Sequence, residues 1–400
     1  MTKILKNIKG DKTIWAIIAL LAIFSFLPVY SASTNLVYVV ENGTTLGHLL
    51  KHAMLLVLGF VIIYATHKIP YRYFSGLSVL LIPVVIVLLI YTLMQGKTIS
   101  GVNASRWIRI PFVGIGFQTS TLAGVVVMMY VARYLAKNKD KLITFKESIV
   151  QLWLPVAVML MLILPANFST TAIIFTTVLM LTFLGGYPLK YLLSMLGVGI
   201  LLFSIFLLTA KAFPDTFKNS RINTWVSRIE NFAEPNSETN YQADKAKIAI
   251  ASGEIRGKGP GKSVQKNFLP QSSSDFIYAI IVEEFGLVGA LFLMILYLGL
   301  LFRIVIVATK TETIFGTLLV LGVGIPIIFQ ALINMAVAVG LFPVTGQPLP
   351  LISVGGTSIW MTCFAIGIVL SVSAKRDEDI LKSKKIDDDN PLKILHEAIG

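Results

Sequence analysis

The sequence predicts an all-α polytopic membrane protein of about ten transmembrane helices, with a large extracytoplasmic loop between helices 7 and 8. Three observations carry that prediction. Apolar residues make up 55% of the 400-residue chain and charged residues only 14%, against about 25% charged in soluble domains. Mean hydropathy is +0.78, more apolar surface than an aqueous fold can bury. Apolar windows that approach or exceed the length needed to cross the hydrocarbon, about 20 residues, recur along the chain, and lysine and arginine alternate between their connections.

The windows fall near 13–29, 49–65, 74–94, 117–136, 149–164, 169–184, 191–210, 276–306, 314–338 and 350–372. The first follows Lys3, Lys6, Lys9 and Lys12 and shares its look with a cleaved signal peptide, Ser31-Ala32-Ser33 being a weak cleavage site. It is read as a retained helix, because the charge pattern of the later loops works only if it stays. The fifth and sixth windows are short, so kinks or shielding by neighbours are expected there. Connection 30–48 carries no Lys or Arg, 66–73 carries Lys68 and Arg72, 137–148 carries four lysines, and 165–168 none. Lys190, Lys310 and the Lys375-Arg376 pair continue the alternation. Both termini are therefore expected in the cytoplasm. One outer segment breaks the rule: 95–111 holds Lys97, Arg106 and Arg109, and positive charge on that side calls for a ligand.

The chain divides into an N-terminal tail (1–12), a transmembrane unit (13–373) and a charged, mobile C-terminal tail (374–400). Residues 211–274 form a connection too long for the charge rule to govern. It contains Trp225, Ile229, Phe232, Ile248 and Ile250, which predicts partial order. The net charge of +13 is spread over loops instead of forming one patch, so it reads as membrane orientation plus an anionic ligand, with no nucleic acid partner. Cys363 is the single cysteine, which excludes an intrachain disulfide and a CxxC metal site. His48, His52 and His67 fall on two sides of the membrane and imply no metal cluster. No cofactor motif is identified, and a divalent cation requirement is not readable from sequence.

The densest chemical signal is Gly253-Glu254-Ile255-Arg256-Gly257-Lys258-Gly259-Pro260-Gly261-Lys262-Ser263. It is not a P-loop: the spacing needs a glycine where Arg256 stands, and no buried strand precedes it. Glycines still expose backbone N–H groups, and Arg256, Lys258, Lys262 and Lys266 add cationic donors, which suits a phosphate or pyrophosphate. A solvated flexible loop would have the same composition. Asp275 follows at the start of an apolar run, where it suits both an N-cap and a general base whose pKa is raised by partial desolvation. Glu283 and Glu284 lie within the apolar run. An ionised group at mid-membrane costs about 2.5–3.5 kcal/mol or more, so they must face a polar crevice, pair with a cation, or lie where the helix breaks near Gly286. Gln330 and Asn334 share one helix face and could serve a ligand or helix packing equally well.

At this point the wording is distinctive. Gly261-Lys262-Ser263-Val264-Gln265-Lys266-Asn267-Phe268-Leu269-Pro270, Ser274-Asp275-Phe276-Ile277-Tyr278 and Glu283-Glu284-Phe285-Gly286 resemble the signature of the SEDS family. So do Gln330, Asn334, Gly340-Leu341-Phe342-Pro343-Val344-Thr345-Gly346, the run Pro348 to Ser353, and Gly101-Val102-Asn103-Ala104-Ser105-Arg106-Trp107. The resemblance covers about 10–373 and is closer to the FtsW (division) branch than to RodA (elongation). It implies a peptidoglycan glycosyltransferase at the outer face of the bacterial cytoplasmic membrane, acting at the division septum on lipid II and releasing undecaprenyl pyrophosphate. A class B penicillin-binding transpeptidase, other division proteins and membrane lipid would be its partners. Asp275 would be the catalytic base. Lys262, Lys266, Arg256, Ser263, Gln265, Arg106, Arg109, Glu283, Glu284, Gln330, Asn334 and Ser353 would form the substrate-binding set. Two departures stand out. Thr121 and Gly124 replace a Glu and a Lys frequent in the family, lost together as a pair would be. Pro165-Ala166-Asn167 replaces an acidic motif, so no acidic role transfers there. A lipid II flippase and a non-catalytic division scaffold are the alternative readings.

Overall fold

The computed structural model describes residues 9–38, 44–95, 98–99, 102–103, 106–109, 116–141, 143–212, 221–233 and 241–388. Ten helices build the bundle: α1 (Lys12–Tyr38), α2 (Thr45–Thr66), α3 (Arg72–Met94), α4 (Thr119–Lys137), α5 (Phe145–Ile163), α6 (Phe168–Leu184) and α7 (Leu189–Ala212), then α10 (Ile277–Thr309), α11 (Ile314–Ala338) and α12 (Thr357–Asp388). The long connection between α7 and α10 contains α8 (Arg221–Ala233) and α9 (Tyr241–Gly253). Among the described residues nine helices are long and apolar enough to cross a membrane, and α6, at 17 residues, is a shorter apolar one. Two antiparallel hairpins, β1 (Thr98–Ile99) with β2 (Val102–Asn103) and β3 (Trp107–Arg109) with β4 (Gly116–Gln118), lie between α3 and α4.

The two short windows have separate explanations. In α5 a π-helical turn over Ile149–Trp153 joins Phe145–Ser148 to Leu154–Ile163, so the helix begins four residues ahead of its apolar window. Helix α6 starts abruptly because Asn167 caps it, its side-chain oxygen accepting from Thr170 N at 3.3 Å. Thr44, Thr313 and Asp11 cap α2, α11 and α1 in the same way. Close approach between helices rests on small residues: a Cβ on Gly59 of α2 would lie 2.7 Å from Cys363 Sγ of α12.

One end of the bundle is tied by an ion pair between the buried Asp11, ahead of α1, and the partly exposed Arg303 of α10, and Gly10 backs onto Leu370 of α12. The start of α1 and the lower parts of α10 and α12 therefore share that end, as an even number of crossings requires. One sequence expectation is corrected here. The last apolar window starts too early: Leu349–Ser353 form a turn in which Leu351 has φ +64°, and α12 begins only at Thr357. The first part of the charged tail continues α12 as helix to Asp388, while 389–400 lie outside the described residues.

Candidate functional site

At the other end of the bundle two clusters form, and the first is the glycine-rich basic loop. Ala246, Ala249 and Gly253 make a small-residue stripe on α9 that lets it lie directly on α10; a Cβ on Gly253 would fall 2.1 Å from Val282 O. The chain then enters a break in α10. Gly286 has φ +66° and ψ −162°, a conformation open essentially to glycine alone, and it ends the helical ladder for one turn. In an unbroken helix Glu283 O and Glu284 O would accept from Leu287 N and Val288 N. Here they accept from Lys258 N (3.0 Å) and Gly259 N (2.9 Å), while Leu287 N and Val288 N donate to Glu254 O (2.9 Å) and Ile255 O (3.3 Å). The loop completes the helix.

Both neighbouring carboxylates serve the same loop. Glu283, fully buried, accepts from Lys258 Nζ (2.7 Å), Val264 N (3.1 Å), Gln265 N (3.1 Å), Ser252 Oγ (3.3 Å) and the Ser263 hydroxyl. Glu284 accepts from the Ser31 hydroxyl of α1 and from Ser263 N (3.3 Å). Lys266 Nζ donates to Gly261 O (2.8 Å) and Ser31 Oγ (3.2 Å). Of the expectations for this acidic pair, the helix break and the cationic partner both hold. Lys258 is that partner, and with Lys266 also donating within the protein, two of the loop's four cations are engaged by the fold. Arg256 and Lys262 are exposed on the loop, whereas Ser263 is buried.

The second cluster surrounds Asp275, just ahead of α10. The expected N-cap contact does not form: the capping position is Phe276, without a side-chain hydrogen bond. The segment is held instead through its backbone. Asn334 Nδ2 of α11 donates to Asp275 O and to Gln347 O, both at 2.7 Å. Ser353 Oγ donates to Ser274 O (2.5 Å) and accepts from Leu349 N (2.7 Å). Val354 N donates to Ser273 O (2.9 Å), Gln330 Nε2 to Pro348 O (2.8 Å) and Gln347 Nε2 to Thr170 Oγ1 (2.9 Å). The Asp275 carboxylate reaches Gly346, where a Cβ would stand 3.3 Å from Oδ2.

The charges of two guanidinium groups from distant segments act on this carboxylate. Arg106 precedes β3 and donates from Nε to Ala166 O at 2.8 Å; Arg109 lies within β3. The other is Arg228 of α8, which sequence reasoning missed. Trp225 docks α8 against Phe168 with ring centroids 5.2 Å apart, and three residues later Arg228 falls on the same helix face. A charged residue in the apolar stripe Trp225, Ile229, Phe232 was the available signal. Burial pushes the Asp275 carboxyl above the usual carboxylate range; the Ser274 hydroxyl, Arg106 and Arg228 pull it back, and burial prevails. Beside Arg228 opens a largely apolar cavity of about 460 Å³ lined by Phe168, Trp225, Ile229, Phe329 and Phe342. Thr121 and Gly124 line a separate cavity of about 90 Å³ within the bundle.

Fold and site together define a polytopic helical membrane protein that presents one half-buried carboxylate, under the charge of two arginines, at one end of its bundle. Residues 11–378 match the cell cycle protein family of FtsW, RodA and SpoVE, and the chain belongs to that family, as its motifs suggested. It is 32% identical over 377 residues, 92% of either chain, to a probable peptidoglycan glycosyltransferase FtsW of Hydrogenovibrio crunogenus. It is 30% identical to a protein of the same description from Nitrosococcus halophilus, over 81% of this chain and 82% of that one. Among solved structures, a chain of a peptidoglycan synthase complex coordinating polymerization and crosslinking shares the fold with a TM-score of 0.70, at 24% identity over 92% of this chain and 98% of that one. The rod shape determining protein RodA of Thermus thermophilus does so with a TM-score of 0.65, at 23% identity over 92% of this chain and 97% of that one.

Proposed function

We propose that this protein is a peptidoglycan glycosyltransferase that polymerises lipid II at the outer face of the bacterial cytoplasmic membrane, for septal synthesis and in partnership with a class B penicillin-binding transpeptidase. The observation that carries the reading is the Asp275 carboxylate: half-buried, raised in pKa, and positioned by a hydrogen bond from Asn334 to its backbone carbonyl, with the Ser274 hydroxyl as its side-chain partner. It takes the proton from the acceptor sugar's 4-hydroxyl. That oxygen attacks the anomeric carbon of the donor, the bond from that carbon to phosphate breaks, and undecaprenyl pyrophosphate leaves with the electron pair. Lys262, Arg256 and Lys266 on the basic loop, with Arg106 and Arg109, offer the cationic donors such a leaving group needs. Gln330, Asn334 and Ser353 hold the Asp275 segment, and Glu283 and Glu284 hold the basic loop. A flippase would use charges along a path through the membrane, and here Glu283, Glu284 and Arg303 are each engaged by the protein itself.

Asp275→Asn keeps size and polarity and removes the base. In proteoliposomes containing lipid II and the cognate transpeptidase, glycan strands should fall by a factor on the order of 10²–10⁴, the usual contribution of a general base. Near-normal strand synthesis by a folded Asn variant would reject the assignment. Sidedness is tested separately after replacing Cys363 by Ala. Ser237→Cys should react with an impermeant thiol reagent in cells whose outer barrier is opened, and Ser383→Cys should not. The reverse pattern would put the loop in the cytoplasm and rule out an outer-face polymerase.

A further inference from the structure

Arg228 stands out among the groups that the proposed mechanism does not use. Its place is built by α8: Trp225 anchors that helix through Phe168, which in turn stacks on Phe203 of α7 with centroids 4.9 Å apart. One turn on, Arg228 Nη1 donates to Val344 O at 3.1 Å. Val344 lies two residues ahead of Gly346, where a Cβ would stand 3.3 Å from Asp275 Oδ2. A guanidinium has five N–H donors in a fixed plane, so a single backbone bond orients it while its charge remains available to the neighbouring carboxylate. We propose that Arg228 is a positioning residue for Asp275, holding the Val344–Gly346 segment against the carboxylate and presenting to it a positive charge from the long connection.

The charged groups facing Asp275 come from different elements. Arg106 approaches from the segment before β3 and Arg228 from α8. From α9, Lys247 extends to Gly340, where a Cβ would lie 2.6 Å from Cε. On α10, Glu283 and Glu284 lie two turns further on and are occupied with the basic loop. Burial favours the neutral carboxylic acid, which cannot act as a base, and the two arginines oppose that tendency. Removing one arginine should therefore narrow the pH range of activity from its acid side.

The inference rests on the reading of Asp275 as the base, and the two can fail separately. Rates of lipid II polymerisation by the full-length protein with its transpeptidase are measured from mildly acidic to alkaline pH. Arg228→Gln keeps an N–H donor for Val344 O and loses the charge; its acid limb should move up by about 1 pH unit. Its rate should be about tenfold low below that limb and approach wild type in alkali. Arg228→Lys keeps the charge and should leave the limb near its wild-type position. Because α8 lies outside the spanning helices, both variants are expected to insert. A pH-independent loss in the Gln variant would assign Arg228 a purely structural role and overturn the proposal. So would a Lys variant whose limb is displaced, whether or not the Gln variant folds. If Asp275→Asn is active, the reading of the base fails first. If Asp275→Asn is inactive and the Arg228→Gln limb is unmoved, only the present inference fails.

Discussion

The basic loop and the Asp275 segment lie at the two ends of the same short stretch before and within α10, and they balance charge in opposite ways. In the loop, Glu283 receives backbone amides, hydroxyls and Lys258 on both oxygens, and Glu284 receives Ser31 and Ser263 N on Oε1, so the charge of Glu283 is satisfied inside the protein. Around Asp275 the charges of two arginines from remote segments act on the carboxylate, while the hydrogen bonds of Asn334 and Ser353 go to backbone carbonyls. A carboxylate surrounded by donors is a structural pin. One that is held mainly through its backbone, with few side-chain donors, can exchange a proton. The polar residues of this site thus divide by which of their atoms are occupied more than by their distance from the membrane.

The comparison can be broken from either side. Glu283→Gln should act on stability. Its carboxylate oxygens receive donors on both sides, so an amide NH₂ in either orientation points hydrogens at N–H or O–H groups. The expected loss is about 1–3 kcal/mol, as for buried donors left unsatisfied, since the remaining charge of Lys258 is a third exposed. It would be read as a lowered unfolding midpoint in detergent and as early proteolysis of the loop. An unchanged midpoint would remove the pin from Glu283. The contrasting substitution, Asp275→Asn, should leave that midpoint in place while strand synthesis collapses. The smallest effect is expected at Lys262, which is exposed. Lys262→Gln should weaken use of lipid II about fivefold, equivalent to about 1 kcal/mol of a charge-assisted contact, and the wild-type advantage should shrink as salt rises. Kinetics identical at all salt concentrations would return Lys262 to the solvated surface.

Much of the architecture was legible because apolar runs of membrane length have few alternatives; α11 falls over its predicted window, 314–338. Its limits lay where local composition misleads. Pro350 to Ile352 open the last apolar window and read as helix, but the prolines at 348 and 350 and the left-handed Leu351 make them a turn that carries Ser353 to Ser274. The site was legible in its residue types and less so in their pairing. That Glu283 and Glu284 needed partners follows from the cost of charge in an apolar run, but that the partners come from Ser31 and residues 252–265 is decided by tertiary structure. Arg228 escaped notice because one arginine in a basic connection has no local signature; only the helical phase it shares with Trp225 sets it apart.

The break at Gly286 also works as a depth gauge. Below it, Leu287–Thr309 extends about 34 Å at 1.5 Å per residue, enough by itself for the roughly 30 Å hydrocarbon layer. From the opposite end, the stretch of α1 between Lys12 and Ser31 rises about 29 Å and meets Glu284 at the same level. Two independent rulers thus set the paired glutamates near the headgroup boundary. With Thr309 and Lys12 at one hydrocarbon boundary, the first turns of α10, from Ile277, would rise beyond the acyl chains, with Asp275 just ahead of them. A lipid-linked sugar, whose phosphates ride in the headgroup layer and whose saccharide projects beyond it, would meet the basic loop and the carboxylate in that vertical order.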